Sequence, residues 1–209
     1  MNKPNVLGIQ SSVPAAGCVL AGGKSRRMGV DKALLKLNGK YLISIALERF
    51  YGLPELLISA ADMELYAFTG ARTIPDERPG MGPLGGFISV LKAAESDFVC
   101  FRPVDTPFVP AALHTMLAAA CQEKNAAVPI CGGAIEPLLA CFAKTALSVL
   151  ENLAGAGNFK AADAFPLLNT AYIPIDAPEI QENLGDPTVY LINANDPESF
   201  AKLSDFHFP

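Results

Sequence analysis

The sequence contains no tryptophan, only two histidines, and few charged residues, which make up 18% of its 209 residues. Its formal net charge is −5, so it lacks the excess of lysine and arginine that general nucleic-acid binding needs. It has no uninterrupted apolar run of about 18 residues, the length of a transmembrane helix. Residues 1–16 also lack the apolar core of a signal peptide. These absences predict a cytoplasmic protein that binds neither nucleic acid nor membranes.

Cysteine is too sparse and too scattered to form a disulfide framework. The chain has five cysteines, an odd number, and no C-x-x-C pair. Several of them lie in apolar runs, where a free cysteine packs as a small hydrophobic residue. This usage is typical of a reducing compartment such as the cytoplasm. The five are Cys18, Cys100, Cys121, Cys131 and Cys141.

Apolar residues make up 51% of the chain, enough for a substantial core. Strand-like and helix-like segments alternate, which is the pattern of a mostly parallel sheet covered by helices. We therefore predict a single α/β domain over residues 17–209, three-layered, doubly wound and Rossmann-like, after a loose tail at 1–16. Predicted strands are 18–21, 56–60, 71–74, 97–102, 126–130, 136–142 and 170–175. Predicted helices are 41–51, 84–95, 110–122, 144–153, 158–164 and, more weakly, 197–203, while the polar segment 176–189 is predicted to be a long loop.

The stretch GCVLAGGKSRRMG, residues 17–29, combines glycines with cations directly after a predicted strand. A P-loop would need a glycine five residues before Gly23, and Cys18 occupies that position. A G-x-G-x-x-G fingerprint also fails, because Gly22 and Gly23 are adjacent and the next glycine is Gly29. The glycine pair can bring backbone N–H groups close to an anion, and the cations can neutralise a triphosphate. The alternative for this stretch alone is a solvated turn with a basic face.

The longer run LAGGKSRRMGVDKALLKLNG resembles the amino-terminal signature of the molybdenum cofactor guanylyltransferase family, L-A-G-G-x-S-x-R-M-G-x-D-K-x-L. Every fixed position of that signature is present between Leu20 and Leu34. The resemblance implies a Rossmann-like nucleotidyltransferase fold. It also implies transfer of GMP from GTP to the terminal phosphate of molybdenum-loaded molybdopterin, with release of pyrophosphate. In that family reading Arg27 and Lys32 are catalytic, and the nucleotide is bound by Leu20, Ala21, Gly22, Gly23 and Lys32.

The segment IPDERPGMGPLGGFISVLKAA, residues 74–94, resembles a second motif of the same family, an aspartate followed by G-P-L-x-G at the start of a helix. The resemblance makes Asp76 a hydrogen-bond acceptor for the base or ribose, although the adjacent Glu77 leaves open which carboxylate serves. The GPLGG turn offers accessible backbone amides, and the helix predicted to begin near Leu84 adds its positive end. The turn residues implied to bind the nucleotide are Gly82, Pro83, Leu84 and Gly85.

The segment FVCFRPVDTPFVP, residues 98–110, delivers Asp105 to the carboxyl end of an apolar strand. An aspartate there can bind Mg²⁺, which typically bridges one or two carboxylates to substrate phosphates. Taken alone, an aspartate before Thr-Pro is more often a turn or cap residue. The family resemblance makes Asp105 both the metal ligand and a catalytic residue.

The last third of the chain matches the family less closely. The resemblance implies that Glu136, Pro137 and Asn193 contact the molybdopterin acceptor, together with Asn195, which alternation along an extended segment places on the same face as Asn193. Where the family usually has an arginine, this chain has only Lys160, and lysine cannot form a planar bidentate fork. The two histidines, His114 and His207, lie outside all the motifs, and we expect them on a helix surface and in a tail.

Several alternatives share the first loop. Cytidylyltransferases that act on the same acceptor usually have L-A-A-G, whereas this chain has LAGG and a D-T-P motif, which favour guanine. Sugar-phosphate nucleotidyltransferases have a similar loop pattern. A nucleotide-sensing module without turnover is the non-enzymatic alternative. The resemblance thus implies GTP and a molybdopterin acceptor as partners, Mg²⁺ as cofactor, and contacts with other proteins of molybdenum cofactor biosynthesis.

Overall fold

The computed structural model describes residues 13–22, 31–194, 199, 200 and 203. Its strands, in chain order, are β1 (Ala15–Leu20), β2 (Lys36–Leu37), β3 (Lys40–Tyr41), β4 (Glu55–Ser59), β5 (Arg72–Ile74), β6 (Phe98–Pro103), β7 (Ala126–Cys131), β8 (Ala134–Ile135), β9 (Cys141–Ala143) and β10 (Thr170–Pro174). Its α-helices include α1 (Leu42–Glu48), α2 (Gly82–Ala93), α3 (Ala111–Cys121), α4 (Leu147–Gly155), α5 (Pro178–Leu184) and α6 (Pro187–Tyr190). Short 3-10 helices occupy Lys32–Leu34, Ala67–Thr69, Lys144–Ala146 and Ala161–Leu167. In this part of the chain no helix is long and apolar enough to cross a membrane.

The main sheet has the strand order β10-β7-β9-β6-β1-β4-β5, with β8 attached to β7. Strand β1 lies in the middle and pairs in parallel with β4 on one side and β6 on the other. Strand β9 is antiparallel to both of its neighbours, so the sheet is mostly parallel, as predicted. Because the chain builds β4 and β5 on one side of β1 and then crosses to β6, the strand order reverses beside β1. In open α/β sheets, ligands bind at the carboxyl ends of the strands at such a switch point.

Helices cover both faces of the sheet, which confirms the predicted three layers. One buried apolar cluster contains residues of α1, α3 and α5, and the other contains residues of α2, α4 and the 3-10 helix Ala161–Leu167. Alternate residues of β1 supply both clusters: Val19 lies in the first, and Cys18 in the second. In the second, the rings of Phe87 and Phe101 are 4.6 Å apart, close enough for favourable aromatic packing.

Two parts of the predicted secondary structure are wrong. The predicted strand 136–142 is reduced to β9, because Pro137 has no N–H for a ladder and the Leu139 N–H closes a turn onto the Glu136 carbonyl at 3.0 Å. The predicted loop 176–189 contains α5 and α6, each of which has proline in its first turn. Their formation buries Ile180 and Leu184, so tertiary packing outweighs the polar composition.

The ends of the domain are described only in part. Strand β1 begins at Ala15, two residues inside the segment that the sequence predicts as a tail, and residues 1–12 lie outside the described residues. Within the predicted helix 197–203, residues 199, 200 and 203 are described and are helical. Leu203 is fully buried in the same cluster as α1 and α3, so this segment also adds to the core.

Gly17, in the middle of β1, sets how closely α1 packs on the sheet. A Cβ atom at this position would lie 2.7 Å from Cβ of Phe50, which follows α1 and is buried.

We expect Gly17→Ala to lower the free energy of unfolding by about 1–3 kcal/mol, the usual range for overpacking a core, in urea titrations followed by circular dichroism. Gly155→Ala is the control, because a Cβ there meets no described atom within 4 Å. Equal stability of the Gly17→Ala variant and the wild type would contradict this packing.

Candidate active site

The loops that follow β1, β4 and β6 are hydrogen-bonded to one another at the carboxyl edge of the sheet. The amides of Ala21 and Gly22 both donate to the Ser59 carbonyl, at 3.0 and 2.9 Å. The Val104 amide donates to the Leu20 carbonyl at 3.2 Å. The Ser59 carbonyl therefore accepts a hydrogen bond from the Gly22 amide in this structure, and the predicted contacts of the glycine pair with a phosphate stay a prediction. Leu20, Ala21 and Gly22 form a fixed rim at the end of β1.

Lys32 and Asp105 meet at this rim, although 73 residues separate them in the chain. Lys32 Nζ lies 3.4 Å from Asp105 Oδ2, and the two side chains are 18% and 21% exposed. Lys32 begins the 3-10 helix Lys32–Leu34, at the end of the family signature, and Asp105 follows β6. Partial burial weakens screening by salt but leaves the pair accessible to a ligand. The structure thus brings together two predicted catalytic residues, whereas Gly23, Arg27 and Asn195 lie outside the described residues.

A buried arginine supports the loop that carries Asp105. Arg102 is fully buried on β6, and its Nη2 donates to the Thr106 carbonyl. Thr106 Oγ1 in turn donates to the Pro103 carbonyl at 3.2 Å. Burial and the nearby charge of Arg49 lower the pKa of Arg102 to about 9. No role was predicted for Arg102 from the sequence, although a charged residue inside an apolar strand indicates one.

The segment that contains Asn193 and Ala194 is hydrogen-bonded through its backbone to the loop that carries Asp105. The Ala194 amide donates to the Asp105 carbonyl at 2.8 Å, which places the exposed Asn193 one residue away from this bond. Asn193 is therefore next to Asp105 in the fold although it is far from it in the sequence. Its predicted role in binding the acceptor fits this position and stays a prediction.

Asp76, not Glu77, faces the rim. Glu77 forms an ion pair with Lys92 at 2.8 Å on the surface of α2. Asp76 is half-buried, and burial raises its pKa. A Cβ built on Gly86 would lie 3.6 Å from Asp76 Oδ1, 3.6 Å from Leu20 Cδ2 and 2.6 Å from Ser59 Oγ. The missing side chain of Gly86 therefore leaves room for Ser59 Oγ, and Asp76 Oδ1 lies at ordinary contact distance from the same position, beside the end of β1. This role of Gly86 was not predicted from the sequence.

The GPLGG turn divides between the surface and the core. Helix α2 begins at Gly82, whose φ of 57° is in the left-handed region that favours glycine. Gly82 and Pro83 are exposed, whereas Leu84 and Gly85 are buried. The Leu84 side chain packs in the core, so only backbone groups of this residue remain for a nucleotide. The predicted contacts of this turn with a nucleotide stay a prediction.

The other predicted acceptor residues belong to different elements. Glu136 and Pro137 form the turn after β8, where the Glu136 amide donates to the Pro129 carbonyl at 2.9 Å. Glu136 is half-buried, and burial raises the pKa of its carboxyl group. Lys160 is exposed and precedes the 3-10 helix Ala161–Leu167, its amide bonded to Asn158 Oδ1 at 3.0 Å. Their assignment to the acceptor stays a prediction.

His114 is buried, so its predicted place on a helix surface is wrong. Its ring packs 4.5 Å from the ring of Phe50, and neither nitrogen has a hydrogen-bond partner among the described residues. Burial and the charges of Arg102 and Arg49 hold its pKa well below the usual value, so the imidazole is neutral. The apolar neighbours of His114 on α3 favour this burial, and His207 lies outside the described residues.

Comparisons with known proteins agree with this architecture. A family model described as "MobA-like NTP transferase domain" matches residues 17–166. A probable molybdenum cofactor guanylyltransferase of Carboxydothermus hydrogenoformans is 31% identical over 88% of this chain and 92% of its own length. A molybdenum cofactor guanylyltransferase of Cereibacter sphaeroides is 38% identical over 78% of this chain and 91% of its own.

A solved structure is similar to this chain in fold and in sequence. The crystal structure of molybdopterin-guanine dinucleotide biosynthesis protein A from Archaeoglobus fulgidus superposes with a TM-score of 0.78. It is 25% identical, and the match covers 91% of this chain and 97% of that one. Because the family model matches more than half of the chain and the relatives align over most of their own lengths, the chain belongs to the MobA-like NTP transferase family.

Proposed function

We propose that this protein transfers GMP from GTP to the terminal phosphate of molybdenum-loaded molybdopterin, forming a guanine dinucleotide cofactor. The observation that carries the proposal is the Lys32–Asp105 pair at the switch point of the sheet, in a chain whose relatives are named guanylyltransferases. All five cysteines are free, which suits a reaction in the cytoplasm.

The proposed reaction is a single displacement at the α-phosphorus of GTP. A terminal phosphate oxygen of the acceptor supplies the electron pair for the new bond. The bond from the α-phosphorus to the bridging oxygen breaks, and its electrons leave with pyrophosphate. No covalent bond to the protein forms, so the protein aligns the reactants and stabilises the charge that develops. Lys32 Nζ supplies positive charge beside Asp105, and Arg27 adds a second cation from the first loop.

The residues near Asp105 fit a divalent cation shared with the substrate. Among the described residues, no three His, Cys, Asp or Glu side chains cluster so as to hold a metal by themselves. Asp105 offers a partly exposed carboxylate, and Asn193 lies next to it through the Ala194 amide. One carboxylate plus substrate phosphates and waters is a usual environment of Mg²⁺. When bound, Mg²⁺ would offset the charge of the phosphates, and Asp105 would hold it.

Asp76 is the proposed acceptor for the guanine base. Its half-buried carboxylate lies beside Leu20 at the rim, whereas Glu77 is paired with Lys92. A carboxylate accepts hydrogen bonds with both oxygens, and guanine presents two adjacent N–H donors on its Watson–Crick edge, whereas cytosine presents one donor beside two acceptors. This arrangement favours guanine over cytosine, in agreement with the LAGG loop. The Lys32–Asp105 pair argues against a nucleotide sensor without turnover, because sensing does not require it.

Nucleotide choice tests the guanine assignment. In calorimetric titrations with Mg²⁺, we expect GTP to bind at least tenfold more tightly than CTP, ATP or UTP, a difference of about 1.4 kcal/mol. Asp76→Asn should weaken GTP binding about tenfold, because an N–H₂ donor then replaces one of the two oxygens with which the carboxylate accepts hydrogen bonds from the base. Glu77→Gln is the matched control and should bind GTP like the wild type. Tighter binding of CTP than of GTP would contradict guanine selection.

The cations test the reaction class. With GTP and the acceptor, we expect Lys32→Ala and Arg27→Ala each to lower kcat/KM for pyrophosphate release at least a hundredfold, about 2.7 kcal/mol, and Asp105→Asn to remove most turnover. Lys24→Ala should lose less than about tenfold, because Lys24 is at a variable position of the family signature. A P-loop makes the opposite forecast. Loss of turnover in Lys24→Ala with near wild-type Lys32→Ala, and release of the γ-phosphate alone, would contradict the proposed site.

A further inference from the structure

Asp31 uses both oxygens of its carboxylate to fix the backbone from which Lys32 projects. Oδ1 accepts a hydrogen bond from the Ala33 amide at 2.9 Å and so caps the 3-10 helix Lys32–Leu34. Oδ2 accepts a hydrogen bond from the Tyr66 hydroxyl at 2.7 Å. One oxygen therefore holds the turn together, and the other ties it to a residue 35 positions further along the chain.

Tyr66 is itself held in place. Its side chain is only 1% exposed and belongs to the same buried apolar cluster as Ala33 and Leu42. Thr69 Oγ1 donates to the Tyr66 carbonyl at 2.8 Å. Burial and the bond to Asp31 raise the pKa of Tyr66, so the hydroxyl keeps its proton and donates at every working pH. The Tyr66 hydroxyl is thus a fixed point between β4 and β5.

Lys32 depends on such a fixed point. Its long side chain has many rotamers, so the position of Nζ 3.4 Å from Asp105 requires a well-placed backbone. A 3-10 helix of three residues has little stability of its own, because it is shorter than one cooperative helical segment. A displacement of about 1 Å in a catalytic group can lower the rate about a hundredfold. The hydrogen bonds of Asp31 supply the placement that the short helix cannot.

We propose that Tyr66 is a positioning residue of the transfer reaction, acting on Lys32 through Asp31. Its ring packs in the core, and its hydroxyl holds Asp31 in place next to Lys32. The inference rests on the proposed function for the role of Lys32, whereas the chain of contacts from Tyr66 to Asp105 stands on the structure. The two roles of Tyr66 can be separated, because phenylalanine keeps the ring and removes only the hydroxyl.

Tyr66→Phe tests the proposal in pyrophosphate release from GTP with the acceptor. We expect kcat to fall about tenfold, the effect of losing one hydrogen bond to a charged group, while KM for GTP changes less than about twofold. Asp31→Asn keeps a capping oxygen and replaces the charged acceptor of Tyr66 by a neutral N–H₂ group, so we expect kcat to fall in this variant as well. Tyr190→Phe is the matched control and should keep the wild-type kcat. The Tyr190 hydroxyl is also buried, but it has no hydrogen-bond partner among the described residues.

A double-mutant cycle with Lys32→Ala separates positioning from a purely structural role. If Tyr66 acts through Lys32, adding Tyr66→Phe to Lys32→Ala changes kcat less than about twofold, because coupled residues are not additive. A tenfold loss in both backgrounds would overturn the proposal, as would a wild-type kcat in Tyr66→Phe and Asp31→Asn.

A measurement without turnover keeps the proposal separate from the proposed function. In the protein with ¹³C-dimethylated lysines, the Lys32 signal, assigned with Lys32→Arg, reports the surroundings of Nζ by NMR. We expect Tyr66→Phe to shift this signal and Tyr190→Phe to leave it unchanged. An unshifted signal in Tyr66→Phe would overturn the positioning role, whereas a shift in a protein that cannot use GTP would refute only the proposed function.

Discussion

The close approach of Lys32 to Asp105 depends on the central position of β1. Because β1 pairs in parallel with β4 and β6, the loops after all three strands end at one edge of the sheet. Hydrogen bonds from Ala21 and Gly22 to Ser59, and from Val104 to Leu20, then fix these loops to one another. Gly17 and Gly86 let α1 and α2 pack closely on either face. The ion pair is therefore a product of the whole sheet and not of one motif.

The described residues at this edge carry charges of both signs. Asp105 is the acidic member of a pair whose partner is a cation, and Arg102 lies buried beneath the same loop. Nε and Nη1 of Arg102 have no hydrogen-bond partner among the described residues. A buried, poorly paired guanidinium destabilises the folded state. Its bond to the Thr106 carbonyl offsets part of this effect and holds the D-T-P loop.

The sequence predicts the parts of this molecule that depend on local patterns. Alternating strands and helices predicted the doubly wound sheet, the family signature pointed to Lys32, and the D-T-P motif pointed to Asp105. Contacts between segments that are distant in the chain could not be predicted from the sequence. The pairing of Glu77 with Lys92 and the burial of His114 depend on which helix faces lie together. The link from Tyr66 to Asp31 joins two loops whose separation the sequence does not reveal. Helices α5 and α6 form because they bury apolar side chains, which outweighs their polar composition.

The central claim is that the protein directs attack at the α-phosphorus of GTP. The most direct test follows the phosphorus atoms, with molybdenum-loaded molybdopterin and GTP that carries ³²P at either the α or the γ position. We expect the α label to appear in a guanine dinucleotide product and the γ label to appear in pyrophosphate, only when the acceptor is present. Transfer of the γ label to the acceptor, or its release as orthophosphate, would contradict the claim.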